Sequence, residues 1–135
     1  MTNGERADRL LAEAQAVAGE LSDAIAGGRW NLATRRAQEI VELVVKGLLN
    51  EMGTEYPRAH DVVPTFVETT RQRGLEVEPA FLDWLRTLSS RLTELRGPAF
   101  YHEIGMAEAE ARAAAAGAER VLAFGRDFLR RLRAG

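Results

Sequence analysis

Two side chains that could act together on a phosphodiester, Arg96 and His102, are separated by five residues within the segment 96–102. An arginine stays charged at physiological pH and can hold a phosphate, and a histidine can exchange a proton near neutrality. The pair therefore suits cleavage of RNA. With two histidines and 17 arginines in the chain, about one such pair is expected by chance, so its meaning depends on the fold around it.

Three further residues are candidates for contacting a nucleotide or RNA: Tyr101, Lys46 and His60. Tyr101 could stack on a base or anchor a loop. His60 could touch a substrate or hydrogen-bond at a helix entry. Lys46 follows Glu42 at the i,i+4 spacing of a helical ion pair. The row of polar residues that contains them has either a structural role or a role in a binding site. Two distant histidines and no cysteine offer no ligand pair, so we expect neither a metal nor a cofactor.

The composition indicates one small intracellular domain. A chain of 135 residues has single-domain length, and we expect one domain over residues 1–135. The absence of cysteine excludes thiolate zinc sites and cysteine nucleophiles and fits a cytoplasmic location. A net charge of −2 argues against a broad polyanion-binding surface, so any contact with nucleic acid should be local. The first residues are polar, and no apolar run is long enough to span a membrane. We therefore expect neither a secretory signal nor contact with a membrane.

Apolar residues recur at helical spacing in five segments, and no segment shows the period of two typical of a half-buried strand. We therefore predict an all-α fold, an up-and-down antiparallel bundle of about five helices. The predicted helices span about residues 5–26, 29–52, 61–72, 79–96 and 107–132. Asp61 is expected to cap the third helix, and Gly97 with Pro98 to end the fourth. This prediction places Arg96 and His102 at a junction between two helices.

The second and fourth helices have the strongest apolar patterns. The second carries apolar residues on one face from Trp30 to Met52, so we expect it to be the best-buried helix. In the fourth, the leucines form a seam close to a heptad pattern with Leu88 at its middle. We therefore expect Leu88→Ala to cost about 2–5 kcal/mol of stability. The seam consists of Phe81, Leu82, Leu85, Leu88, Leu92 and Leu95.

Most of these features have the pattern of one known family. The residues that carry the resemblance are the row Glu39, Glu42 and Lys46 within segment 37–49, followed by Gly53, Pro57 and the pair His60-Asp61. This pattern resembles the HEPN domain (higher eukaryotes and prokaryotes nucleotide-binding). The helix count and the Arg-x(5)-His segment before the last long helix agree with it. The resemblance covers roughly residues 5–130.

The resemblance implies a helical bundle that forms a homodimer. Many prokaryotic HEPN proteins are encoded beside a minimal nucleotidyltransferase as a toxin–antitoxin pair. Members with an Arg-x(4-6)-His motif often act as metal-independent ribonucleases whose active site forms across the dimer. Arg96 and His102 occupy that motif here, although active members typically have a polar residue where this chain has Gly97.

Three functions follow as alternatives. The first is a metal-independent ribonuclease toxin, or its degenerate relative, in which Arg96 stabilises charge on the phosphate and His102 transfers a proton. The second is a non-catalytic subunit that binds a nucleotide or docks on a nucleotidyltransferase. The third is a structural interaction bundle without a ligand.

Overall fold

The computed structural model of the chain describes the backbone of residues 1–101 and 105–135 and the side chains of residues 1–97 and 105–135. Within these residues it has five helices and no strand, which confirms the predicted all-α bundle. The helices are α1 (Asn3–Ala26), α2 (Trp30–Glu51), α3 (Val63–Gln72), α4 (Pro79–Tyr101) and α5 (Glu108–Ala134). No helix in the described ranges is both long and apolar enough to cross a membrane.

The ends of the first three helices follow from local chemistry. The Thr2 hydroxyl accepts a hydrogen bond from the Glu5 N–H at 3.0 Å and so starts α1. Gly28, Gly53 and Gly74 follow α1, α2 and α3 with φ between 62° and 68°, the left-handed region that ends helices and favours glycine. The three glycines therefore predicted the ends of α1, α2 and α3 to within a few residues of their observed positions.

α2 is the centre of the bundle and packs against all four other helices. Its inward face is fully covered, with buried residues in every turn from Ala33 to Leu49, which confirms the prediction for this helix. Two glycines allow the neighbouring helices to come close. A methyl group at Gly47 would lie 2.6 Å from Leu11 of α1, and one at Gly125 of α5 would collide with Val44. A side chain at Gly125 would therefore have to displace Val44, and one at Gly47 would have to displace the end of the Leu11 side chain.

An aromatic cluster joins α3, α4 and α5 on one side of α2. Phe66 is fully buried, and its ring centroid lies 5.7 Å from that of Phe128 in an edge-on contact. Phe124 stacks on Phe128 at 5.2 Å and also contacts Phe81 of α4 at 4.3 Å. Such offset and edge-on pairs contribute about 0.5–1.5 kcal/mol each beyond area burial. The cluster fixes the first turns of α4 against the second half of α5.

Gly97 and Pro98 do not end α4, which corrects the sequence-based prediction. α4 continues to Tyr101, so Arg96 lies within a helix and not at a junction. Proline normally expels the preceding residue from helical geometry because its ring clashes with that residue's Cβ. Gly97 has no Cβ, so this part of the clash is absent. The helix therefore passes through the pair, although Pro98 has no N–H to donate.

Two further predictions need smaller corrections. Leu88 is only partly buried, whereas Leu85, Leu92 and Leu95 of the α4 seam are buried, at 0%, 2% and 8% exposure. The seam turns one edge outward because α4 packs mainly on α2 and only weakly on α5. α3 starts at Val63, two residues later than predicted. Asp61 precedes it, and its carboxylate accepts a hydrogen bond from the Val63 N–H at 3.1 Å.

Candidate functional site

Arg96 is held in place by a buried side chain of α2. Its Nε donates a hydrogen bond of 3.0 Å to Oε1 of Gln38, across 58 positions of sequence. Gln38 is only 2% exposed, and Arg96 is half-buried. A guanidinium has five N–H donors, of which this bond uses one. The arrangement fixes the direction of a permanent positive charge and needs no carboxylate to do so.

Glu42 is the hub behind this contact. The Gln38 amide donates to Glu42 Oε1 at 2.9 Å, and Nδ1 of His60 lies 3.0 Å from the same oxygen. Lys46 donates to the other oxygen, Oε2, at 2.7 Å, as expected for i,i+4 neighbours. The Glu42 side chain is 17% exposed, so most of its surroundings are these partners. One carboxylate therefore links α2, the α2–α3 connector and, through Gln38, α4.

The electrostatics of this cluster keep Glu42 ionised. Partial burial alone would raise the pKa of its carboxyl group, but hydrogen bonds from Lys46, Gln38 and His60 and the charge of Lys46 together outweigh that effect. The pKa of Glu42 therefore lies below its ordinary value of 4.5. At neutral pH the carboxylate is charged and can accept from all three donors.

The connector between α2 and α3 is tied to the same face. Asn50 donates to the Tyr56 hydroxyl at 3.1 Å and to the Lys46 carbonyl at 3.0 Å. The Lys46 ammonium lies 5.9 Å from the Tyr56 ring centroid, at the outer range of a cation–π contact. A surface depression of about 360 Å³ opens here, with Arg58 and His60 on its wall. It presents an aromatic ring beside cationic side chains.

The side of α4 that faces α2 and the α2–α3 connector is polar. Ser89, Thr93 and Arg96 are spaced by four and three residues, so they lie along one side of the helix. The Ser89 hydroxyl donates to Asp61 at 2.8 Å. The Thr93 hydroxyl is buried and has no hydrogen-bond partner among the described residues. We call the contact between this face and the residues Gln38, Glu42, His60 and Asp61 the polar seam.

The structure brings some of the predicted site residues together. Lys46 and His60 both bond to Glu42, and Arg96 reaches the same cluster through Gln38. His102 and the Tyr101 side chain lie outside the described residues. Gln38 was missed by sequence reasoning. Its i,i+4 spacing to Glu42 was visible, but its bond to Arg96 depends on how α4 lies on α2.

The described side chains contain no group of three or more His, Cys, Asp and Glu residues close enough to hold a metal ion. The polar seam itself offers two carboxylates and one histidine, of which Glu42 and Asp61 already accept from named donors. Its chemistry as observed is hydrogen bonding and fixed charge.

Comparison with known proteins identifies the family. The model of the HEPN domain matches residues 7–128, nearly the whole chain. No curated protein and no solved structure matches the chain. The match contains the complete polar seam and the segment from Arg96 to His102.

Proposed function

Because the chain belongs to the HEPN family, and because that domain indicates a role with nucleotides or RNA, we propose that the polar seam binds the phosphate of an RNA strand. The observation that carries this proposal is Arg96, half-buried on α4 and directed by the Gln38 amide. An arginine held in one orientation before the ligand arrives loses less side-chain entropy on binding. Its planar guanidinium suits two phosphate oxygens at once.

The finer proposal is metal-independent cleavage of RNA. In this reaction His102, acting as a base, takes the proton of a 2′-hydroxyl while the 2′-oxygen forms a bond to phosphorus and the bond to the 5′-oxygen breaks. The leaving 5′-oxygen receives a proton from water, and the products are a 2′,3′-cyclic phosphate and a 5′-hydroxyl. Arg96 stabilises the charge that accumulates on the phosphate oxygens in the transition state. The spacing of the two residues and the anchoring of Arg96 support this proposal.

The test is cleavage of a labelled single-stranded RNA by purified protein with and without EDTA. We expect wild type to cleave in both conditions. Arg96→Ala and His102→Ala should each remove most of the activity. Arg86→Ala is the matched control, because Arg86 is an exposed arginine of α4 outside the polar seam. Equal rates for wild type and both site variants would assign the cleavage to another site or to a contaminant.

A second function is favoured by the depression beside Lys46. A pocket of about 360 Å³ with Tyr56, Lys46 and Arg58 could hold a nucleotide by stacking and charge without cleaving anything. In that case the chain serves as a nucleotide-binding or docking subunit, with a nucleotidyltransferase as the proposed partner. Titration with a nucleoside triphosphate separates the two functions. Saturable binding that Lys46→Ala weakens, in a protein that cleaves no RNA, would favour the subunit.

A further inference from the structure

Asn31, in the first turn of α2, holds the backbone of Met106, two residues before α5 begins. Its Oδ1 accepts a hydrogen bond of 3.1 Å from the Met106 N–H, across 75 positions of sequence. Because a backbone N–H can only donate, this bond requires the oxygen of the amide and fixes which way the Asn31 side chain faces. Asn31 is half-buried, and Met106 is only 6% exposed. The bond therefore lies largely away from water and attaches the chain to α2.

A small apolar cluster attaches Met106 a second time. Its side chain packs with Leu95 of α4, which is also buried, and with Trp30 of α2, which is half-buried. Trp30 and Asn31 are neighbours in sequence. A polar contact and an apolar contact therefore both hold Met106 against the start of α2.

One face of α2 thus holds the chain on both sides of His102. Before His102, Gln38 holds Arg96. After it, Asn31 holds Met106. Asn31 and Gln38 are seven residues apart, which is two turns, so they lie on the same side of α2 and about 10 Å apart along its axis. Since His102 precedes Met106 by four residues, its Cα is within about 14 Å of the Met106 Cα.

We propose that Asn31 is a positioning residue for the cleavage of RNA. This inference rests on the proposed function, in which His102 takes the proton of a 2′-hydroxyl while Arg96 binds the phosphate. By holding Met106, Asn31 restricts where the chain can carry His102 and keeps the imidazole near the bound phosphate. A displacement of about 1 Å at a reacting group can cost a hundredfold in rate, so the restraint acts on the chemical step.

The chemistry of asparagine suits this role beside a phosphate site. Its amide is neutral, so it holds the backbone without repelling RNA and without pairing with Arg96. A carboxylate would accept the same hydrogen bond but would add a negative charge. Both partners of the contact belong to one chain, so the restraint is the same whether one copy or two copies of the chain contribute to the site.

The first test is steady-state cleavage of a labelled single-stranded RNA, at a temperature where circular dichroism shows every variant fully folded. Asn31→Ala removes the acceptor for Met106. We expect kcat to fall about tenfold to hundredfold and KM to change by less than about twofold, because the restraint concerns the base and not the binding of the phosphate.

Two comparison variants accompany it. Asn31→Asp keeps an acceptor, so kcat should recover to within about threefold of wild type, and the repulsion between its charge and RNA should appear in KM. Asn3→Ala is the matched control, an exposed asparagine in the first turn of α1, and should change neither constant.

A double-mutant cycle distinguishes positioning from a general loss of structure. If Asn31 acts only through His102, Asn31→Ala should change the residual rate of His102→Ala by less than about twofold. A variant that merely loosens the bundle would lower the rate by the same factor in both backgrounds. Single-turnover measurements with excess protein make the slow residual cleavage detectable.

Hydrogen exchange followed by NMR tests the contact without RNA. The Met106 amide hydrogen should exchange faster in Asn31→Ala than in wild type and at close to the wild-type rate in Asn31→Asp, because the bond protects it. The amide of Leu48, in the middle of α2, is the reference that shows the change to be local. Equal exchange of the Met106 amide in all three proteins would contradict the bond itself.

Three kinetic results would overturn the inference. An unchanged kcat in Asn31→Ala, with a wild type that cleaves RNA, would refute the positioning role and leave the proposed function in place. An equal loss in both backgrounds of the cycle would show that Asn31 acts on the fold and not through His102. A wild type that cleaves no RNA would remove the inference together with the proposed cleavage.

Discussion

Gln38→Leu tests whether the buried amide holds Arg96 in place. Leucine has a similar size but removes both the acceptor for Arg96 and the donor to Glu42. A hydrogen bond to a charged group contributes about 1.5–3 kcal/mol, and water can replace part of each bond because Arg96 and Glu42 are not fully buried. We therefore expect a loss of about 2–4 kcal/mol in the free energy of unfolding. Exposed Gln72→Leu should change it by less than about 0.5 kcal/mol.

Urea denaturation of a double-mutant cycle measures the contact itself. Gln38→Leu, Arg96→Met and the double variant should give a coupling energy of about 1–2 kcal/mol, since the two residues lose one shared bond. A coupling energy near zero would refute the reasoning, because it would mean that the bond contributes nothing to either residue. Gln38→Glu adds a second comparison. It keeps an acceptor for Arg96 but replaces the donor to Glu42 with a second carboxylate oxygen, so both the binding of an RNA phosphate and the free energy of unfolding should decrease.

Three other predictions concern the core and the pH dependence of stability. Leu85→Ala should lower the free energy of unfolding by about 2–5 kcal/mol in urea, and the partly exposed Leu88 should cost less when truncated in the same way. Gly125→Ala should lower the free energy of unfolding by about 1–3 kcal/mol because its methyl group collides with Val44 of α2. Gly19→Ala, whose methyl group meets nothing within 4 Å, should raise it by up to about 1 kcal/mol. Equal effects of the two variants on the thermal midpoint would contradict the close crossing. The lowered pKa of Glu42 contributes stability that is present above the ordinary carboxyl pKa of 4.5 and is lost as pH falls through the lowered pKa. Glu42→Gln removes this titration, so the free energy of unfolding should fall less steeply in acid than it does for the wild type.

The fold could be predicted from the sequence because its signals are local. Helical periodicity gave the five helices, and glycines in the left-handed region marked three helix ends. The predicted end of α4 was wrong, since Gly97 lacks the Cβ that contributes to the clash with a following proline and so tolerates helical geometry better than other residues. Leu88 packs against the core but is less buried than its central position in the seam predicts, because a seam pattern does not say which of its edges a neighbouring helix covers.

The site could be predicted only where its contacts are local. The Glu42–Lys46 ion pair follows from i,i+4 spacing and was expected. The His60 contact with Glu42 crosses 18 positions, and Arg96 with Gln38 crosses 58. Those two contacts depend on the packing of the connector and of α4 on α2, which periodicity does not specify. Family resemblance marked Lys46, His60 and Arg96 as candidates but not the side chain that connects them.

The chemistry of Gln38 explains how the polar seam orients the charge of Arg96 without neutralising it. A carboxylate in direct contact with Arg96 would fix it equally well but would also neutralise the charge that a phosphate needs. Gln38 instead gives its carbonyl oxygen to Arg96 and its amide hydrogen to Glu42. The negative charge of Glu42 is balanced mainly by Lys46, which donates directly to it. An amide between the two ions therefore provides orientation without neutralisation, and Arg96 keeps the charge that the proposed binding of a phosphate requires.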